Sequence, residues 1–331
     1  MASTALPPLP TELSSRAVSM VAVSTILETL ALVTVTLRFV AKFRTRNIGI
    51  DDWLVLLAFV FATGLYITGM LICTIGYAGY HASELRPAII ERFLLLAYID
   101  NIFYALTLPT IKIALLVMYR RIFPTRTFLY AAIAVGLVVL AWMVSVVIAQ
   151  IFTCSPVQGS WDLAVAGGPQ CIDQLKFYYG NSVSNVLTDV AILCLPMPMI
   201  WRLNLSRPKK WAVTGAFLAG GFVCISSIVR LSYLSDINNL DITYTLVAVG
   251  NWTSIETPLA VICACLPILP SLFRFKDPKT TSYNMSSRGG AGGSTLKSMR
   301  NDRSRDYETL DDGTLAESDR EEKGVKVHDV V

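Results

Sequence analysis

The chain has 331 residues, of which 53% are hydrophobic and only 16% charged, against about 25% charged in an ordinary soluble domain. Its 28 basic and 24 acidic residues give a formal net charge of +4. These proportions exclude a disordered chain, a collagen and a small disulfide scaffold. The charges are clumped between long uncharged stretches, so the chain reads as an integral membrane protein.

A hydrocarbon core about 30 Å thick takes roughly 20 apolar residues in a helix. Seven stretches have that length: residues 17–40, 53–77, 93–119, 128–150, 177–200, 213–234 and 244–269. The expected fold is all-α, a seven-transmembrane helix bundle over 17–273, with a short arm at 1–16 and a tail at 274–331. The first stretch carries Glu28 in its middle and lacks a basic start. Arg38, Lys42, Arg44 and Arg46 follow it, which is a stop-transfer pattern and marks a retained span. Pro109, Pro196 and Pro258 fall inside spans, where neighbouring helices can satisfy the freed carbonyls.

Lys and Arg near the span ends set the orientation. Arg38, Lys42, Arg44 and Arg46, then Arg120, Arg121 and Arg126, then Arg202, Arg207, Lys209 and Lys210, with Arg274, Lys276 and Lys279, lie on one side. The other side holds Arg16, Arg86, Arg92 and Lys176. The bias predicts an outside N-terminus and a cytoplasmic C-terminus. Anionic membrane lipids are the expected partner of the basic loops. No basic face remains for nucleic acid.

The longest outer loop, 151–176, contains Cys154 and Cys171. Both would meet an oxidising compartment. A bridge between them would close roughly 18 residues and contribute about 3 kcal/mol. Cys73, near the outer end of the second span, is the rival partner, and two free thiols are the other alternative. Cys194, Cys224, Cys263 and Cys265 read as small apolar fillers. His81 and His328 are the only histidines, too few for a metal site or a catalytic dyad. With no phosphate loop, zinc motif or nucleophile elbow, the expectation is no catalytic activity, no metal and no cofactor.

The sequences Asn204-Leu-Ser206, Asn251-Trp-Thr253 and Asn284-Met-Ser286 match the glycosylation pattern by letter only. The tail holds 11 basic and 11 acidic residues with many Ser, Thr and Gly. That composition predicts a disordered cytoplasmic segment. Its Ser and Thr beside Arg suit phosphorylation, and a plain solubilising tail reads equally well.

Six ionisable side chains fall within the spans: Glu28, Asp100, Lys112, Asp189, Arg230 and Glu256. Such groups usually face the bundle interior. At 1.5 Å of rise per residue, Glu28, Asp189 and Glu256 come out near mid-membrane. Asp100 and Arg230 both fall in the outer half and are the best candidates for an ion pair. Lys112 is placed to snorkel toward the cytoplasm. The functional reading is an outward-opening cavity lined by Asp100, Asn101, Tyr104, Arg230 and Glu256, with Trp252 and Thr253 beside Glu256 on the last span. Interhelical struts without a ligand, or an ion or proton pathway, would use the same residues. A retinal pigment needs a Schiff-base lysine. The last span has none between 244 and 272.

The chain resembles the fungal rhodopsin-like seven-span membrane protein family, whose relatives include the Pth11-like receptors. The resemblance rests on Leu37-Arg38-Phe39, Asp51-Asp52-Trp53, Gly76, Gly79 and His81, and on Lys112 with Tyr119-Arg120-Arg121-Ile122-Phe123. It continues through Cys154, Pro156, Trp161 and Cys171, Asp189 with Leu195-Pro196, and then Ser227, Arg230, Trp252, Glu256 and Leu266-Pro267. It implies seven helices, an outside N-terminus, and a receptor role at a fungal cell surface with an extracellular small ligand and a cytoplasmic signalling partner. Tyr119-Arg120-Arg121 stands where many G-protein-coupled receptors have an acidic-Arg-Tyr triplet, and the last span lacks Asn-Pro-x-x-Tyr. The alternatives are a proton-coupled or small-solute transporter and a membrane scaffold that binds no ligand.

Overall fold

The computed structural model describes residues 13–122, 125–162, 164–165, 168, 170–198, 207–234 and 242–268. Within them lie seven long helices: α1 (Ser15–Thr45), α2 (Ile50–Thr74), α3 (Pro87–Ile122), α4 (Arg126–Ile151), α5 (Gln174–Cys194), α6 (Arg207–Leu234) and α7 (Ile242–Cys265). The expected arm at 1–16 is described only from residue 13. The tail at 274–331 and the basic residues between α5 and α6 before Arg207 lie outside the described residues, as do two of the three glycosylation-like sequences. The third, at Asn251, is inside α7.

Six of the seven helices are long and apolar enough to cross a membrane. The seventh, α5, has 21 residues, a length of about 31 Å at 1.5 Å per residue. It falls short in apolarity. Asn181, Ser182, Ser184, Asn185, Thr188 and Asp189 stand in its middle, and these are the residues that build the interior described below.

Local sequence explains the helix ends. Ser14 caps α1 by accepting the Ala17 N–H at 3.2 Å. The helix ends at Arg46, whose left-handed backbone (φ 48°) returns its N–H to the carbonyls of Lys42 and Phe43. In α2 the Asp52 carboxylate reaches back to the Gly49 N–H at 2.8 Å, and Asp51 and Asp52 place negative charge at the positive end of the helix dipole. Asp173 caps α5. It accepts the Lys176 N–H at 3.2 Å and pairs with the Lys176 ammonium at 2.9 Å. The hydrogen bonds from Lys176 hold this exposed carboxyl below its ordinary pKa. Pro109 and Pro258 sit inside α3 and α7, as the span assignment required, whereas Pro196 lies beyond the end of α5 at Cys194.

The helices pack in chain order around a ring that closes where α7 meets α1. Helix α3 also touches α5 and α7 across the interior, and of the six apolar helices it is the most buried. A central core joins Ala31 and Val35 of α1, Val55, Ala58, Ala62 and Leu65 of α2, Leu108, Ile111 and Ala114 of α3, and Ala260, Val261 and Ala264 of α7. The small residues bring backbones close, which drives helix association in lipid. Gly64 makes one such close approach: an added Cβ would come within 2.6 Å of the Phe103 ring on α3. The outer face is the reverse of a soluble protein. Leu137, Val138 and Val144 of α4 and Leu218 and Ile225 of α6 are more than half exposed, a surface suited to hydrocarbon.

At one end of the bundle, Cys154 and Cys171 face each other in a two-residue antiparallel ribbon and form a disulfide. The expected bridge is therefore present. The rival Cys73 is a free, buried thiol against Met20, 3.8 Å between sulfurs. Trp161 of this loop packs on Tyr98 of α3, with ring centroids 5.3 Å apart. The α2–α3 connection is pinned at the same end. The Gly79 N–H reaches the Thr243 carbonyl at 3.0 Å, and the Thr243 hydroxyl donates to the Tyr80 carbonyl at 2.8 Å. Gly79 has φ 90°, a backbone state that disfavours other residues.

Candidate functional site

Three polar layers run through the bundle, and the first is a cavity near the disulfide end. It has a volume of about 100 Å³, space for several waters or part of a small molecule. Asp100, Asn101 and Tyr104 of α3, Tyr178, Asn181 and Ser182 of α5, Arg230 of α6 and Thr253 of α7 give it polar walls. Met20, Ile72, Phe93, Leu246 and Val247 give it apolar ones. Four of the five residues expected to line a cavity do so. The fifth, Glu256, lies behind Arg230 and is fully buried. Trp252 is not part of this wall. It belongs with Asn251 and Tyr233 to a separate cleft, stacked near the Tyr233 ring at 6.3 Å.

The expected pairing of Asp100 with Arg230 is not what the structure shows. Asp100 Oδ1 accepts the Thr68 hydroxyl of α2 at 2.6 Å. Arg230 Nε instead meets Glu256 Oε2 at 2.9 Å. Similar depth along the membrane did not decide the partner; helix adjacency did. Helices α6 and α7 pack side by side, so Glu256 reaches Arg230 directly, while Asp100 leans toward α2.

The second layer is the ion-pair network beneath that cavity. Arg230 Nη1 donates to Ser182 at 3.2 Å. Glu256 Oε1 accepts from Asn185 Nδ2 at 2.8 Å and from the Ser227 hydroxyl. Lys112 meets Asp189 at 3.0 Å and donates to Asn185 Oδ1, the Thr188 hydroxyl and the Asn185 carbonyl at 2.6, 2.8 and 3.0 Å. Lys112 does not snorkel, and its ammonium lies inside the bundle, apart from the cluster of Asp51, Asp52 and Arg121 at the opposite end. The Asp189 carboxylate and three oxygen acceptors within reach hold its ammonium inside the bundle. Two cations and two anions thus cancel across α3, α5, α6 and α7. Each is paired, which is the condition for burying a charge. Glu28 is separate, accepting the Thr63 hydroxyl at 2.9 Å.

The third layer lies at the opposite end. Arg38 is fully buried. Its Nη2 meets Asp51 at 2.6 Å and its Nε meets Asp52 at 2.8 Å. Its Nη1 donates to the Ala264 carbonyl of α7 at 2.7 Å. Lys42 stands 3.2 Å from Asp52. Arg121 of α3 reaches Asp51 at 3.4 Å and also the Asn47 amide oxygen. The Asp51-Asp52 pair therefore ties α1, α2, α3 and α7 together. Of the other motif residues, Trp53 is 60% exposed and edge-on to Phe39. Tyr119 lines a smaller cavity with Lys112 and Asp189, and Arg120 is exposed.

Several of these residues were not singled out in the sequence. Ser182 and Asn185 precede Asp189 at spacings of three and four, the spacing of one helix face, and that signal was readable. Thr68 and Tyr178 carried none. Arg38 and Lys42 were counted as loop charges; their distance of 14 and 10 residues from Asp52 gave no sign that the chain doubles back to pair them.

A fungal rhodopsin domain model matches residues 37–275, a span that starts one residue before Arg38 and includes all three layers except Met20. The chain belongs to the fungal rhodopsin domain family. The chain is similar to a Metarhizium anisopliae protein named polyenoic acids biosynthesis gene cluster protein Ba17b. The two are 29% identical over 276 residues, 79% of this chain and 75% of that one. A SAT4 family membrane protein of Emericella nidulans is 28% identical over 258 residues, 73% of this chain and 65% of its own length. Receptor GIN3 of Arthrobotrys oligospora is 28% identical over 193 residues, 58% of this chain and 46% of its own. Membership, the apolar helices and the charged interior together make this a multi-pass integral membrane protein.

Proposed function

We propose that the protein is a plasma-membrane receptor that admits a small amphipathic molecule to the cavity at the disulfide end. One observation carries the reading: a cavity with both polar and apolar walls rests on Arg230, and Arg230 belongs to a continuous network reaching α3, α5 and α7. A molecule that moves Arg230 would act on Glu256, Asn185 and Lys112 in turn, and so on the relative placement of four helices. Ligand binding changes an equilibrium only through such differential contacts. A relative named as a receptor supports the reading. Another relative, named for a polyenoic acids biosynthesis cluster, fits a small-molecule occupant. In this proposal α5 is the seventh crossing, the N-terminus and the disulfide face outside, the Asp51-Asp52 end and the tail face the cytoplasm, and the protein binds without catalysing a reaction.

The test is a screen of small amphiphiles against purified protein in lipid nanodiscs, read as thermal stabilisation. Gly250→Leu would fill the cavity; a Cβ there meets only Met20, at 3.5 Å. A true occupant stabilises the wild type and not this variant. If no amphiphile does so, the receptor reading fails.

A second reading, transport, has its own support. Two smaller cavities continue the first along α3. One shares Tyr104 and Asn181 with it, and the next shares Leu108 and Lys112 with the second. Flux of a stabilising molecule into reconstituted vesicles would favour this reading over the receptor.

A further inference from the structure

We propose that the occupant of the cavity is an amphipathic carboxylate. Its acid group is held by Arg230 Nη2 and the Tyr104 hydroxyl, and its hydrocarbon lies against Met20, Phe93 and Leu246. The proposal rests on the reading of the cavity as a small-molecule site and deepens it.

The argument begins with two donors. Arg230 is 5% exposed and Tyr104 8% exposed. The guanidinium has N–H groups pointing in three directions. Nε is taken by Glu256 and Nη1 by Ser182. Nη2 is buried with no partner, and so is the Tyr104 hydroxyl. The two are neighbours: Arg230 Cζ lies 5.0 Å from the centre of the Tyr104 ring. Both residues line the cavity. A buried donor without an acceptor is costly, and an occupant of the cavity can supply the acceptor. Two unpartnered donors on neighbouring side chains, one of them a guanidinium edge, suit a carboxylate, which has two oxygens to accept them, better than a lone hydroxyl.

The surroundings agree. The other charged groups near the site are already engaged, Glu256 by Arg230, Ser227 and Asn185, and Asp189 by Lys112. Asp100 is on the cavity wall, but its Oδ1 accepts from Thr68 on the α2 side. The wall from Met20, Phe93 and Leu246 offers no hydrogen bond from its side chains, so the rest of the molecule is hydrocarbon.

The experiment uses the full chain in nanodiscs and three probes of equal chain length: octanoate, 1-octanol and octanamide. Octanoate is expected to bind about tenfold tighter than either neutral probe, the scale of one hydrogen bond to a charged group. Tyr104→Phe, which removes only a hydroxyl, should reduce that preference several-fold, and Arg230→Gln should abolish it. Because Arg230→Gln also breaks an ion pair, Tyr104→Phe is the deciding variant if the former does not fold. If the neutral probes bind as tightly as octanoate and Gly250→Leu displaces all three, the carboxylate proposal is overturned while the small-molecule reading survives. Octanoate binding that ignores both Tyr104→Phe and Gly250→Leu is binding elsewhere, and overturns the proposal. If no probe binds, the carboxylate proposal is overturned, and the small-molecule reading stands or falls by the wider amphiphile screen.

Discussion

Arg230, on the cavity wall, pairs with Glu256 behind it, Nε to Oε2 at 2.9 Å, across the adjacent helices α6 and α7. The pair separates the open space above from the Lys112–Asp189 pair below. Removing one partner strands the other without solvent, at a cost of about 3–5 kcal/mol. A double-mutant cycle with Arg230→Gln and Glu256→Gln should therefore give a coupling of about 1–3 kcal/mol in detergent unfolding. The same cycle with Arg230→Gln and Asp100→Asn should give a much smaller value. Equal couplings would mean that Arg230 has no preferred partner.

Lys112 lends itself to a different test. Lys112→Met leaves Asp189 as an unpaired buried anion and should destabilise by about 3–5 kcal/mol. Adding Asp189→Leu should recover part of that loss, since replacing a buried pair by apolar groups is often close to neutral. A double variant less stable than Lys112→Met alone would show that the remaining contacts of Asp189, with Ser227 and Asn185, matter more than its charge.

Arg38 should not tolerate lysine. Its guanidinium serves Asp51, Asp52 and the Ala264 carbonyl at once, and an ammonium is a single point that cannot reproduce that fork. Arg38→Lys should lose most of what Arg38→Gln loses, measured as unfolding temperature. Near-wild-type stability for Arg38→Lys would mean that charge alone holds the cluster.

Non-reducing peptide mapping should recover one linked species joining Cys154 to Cys171, with Cys73 free. Cys154→Ser with Cys171→Ser should cost about 3 kcal/mol and loosen the Trp161 contact with Tyr98. Topology can be read with the same chemistry. In that disulfide-intact protein, a cysteine placed at Gly168 should react with an impermeant thiol reagent on intact cells, and cysteines at Asn47 or Thr125 should be protected. Labelling at Thr125 from outside would reverse the proposed orientation.

The apolar stretches made the helices legible, because a hydrocarbon solvent imposes a length and a composition on every crossing. The same rule marked Asp100, Lys112, Asp189, Arg230 and Glu256 as interior groups. It did not choose their partners. Arg230 finds Glu256 because α6 lies beside α7, and rotation of each helix about its axis is set by packing that one-dimensional depth does not contain. Lys112 was misread for a related reason: snorkelling assumes lipid around the side chain, and here α5 supplies oxygens instead. The cavity was legible as a set of residue types, Trp252 and Glu256 excepted, and the unpartnered Nη2 of Arg230 was not.

The polarity of α5 has a consequence for how the protein is made. A segment with Asn181, Ser182, Asn185, Thr188 and Asp189 in its middle partitions poorly into lipid alone. Its polar groups are matched by Lys112 of α3, Ser227 and Arg230 of α6 and Glu256 of α7. Two of those three helices emerge from the ribosome after it. In the proposed topology, where α5 is the seventh crossing, it waits at the translocon, or in its shelter, until α6 and α7 arrive. Substitutions at Lys112 or Glu256 would then act first on biogenesis, lowering the amount of protein that reaches the membrane.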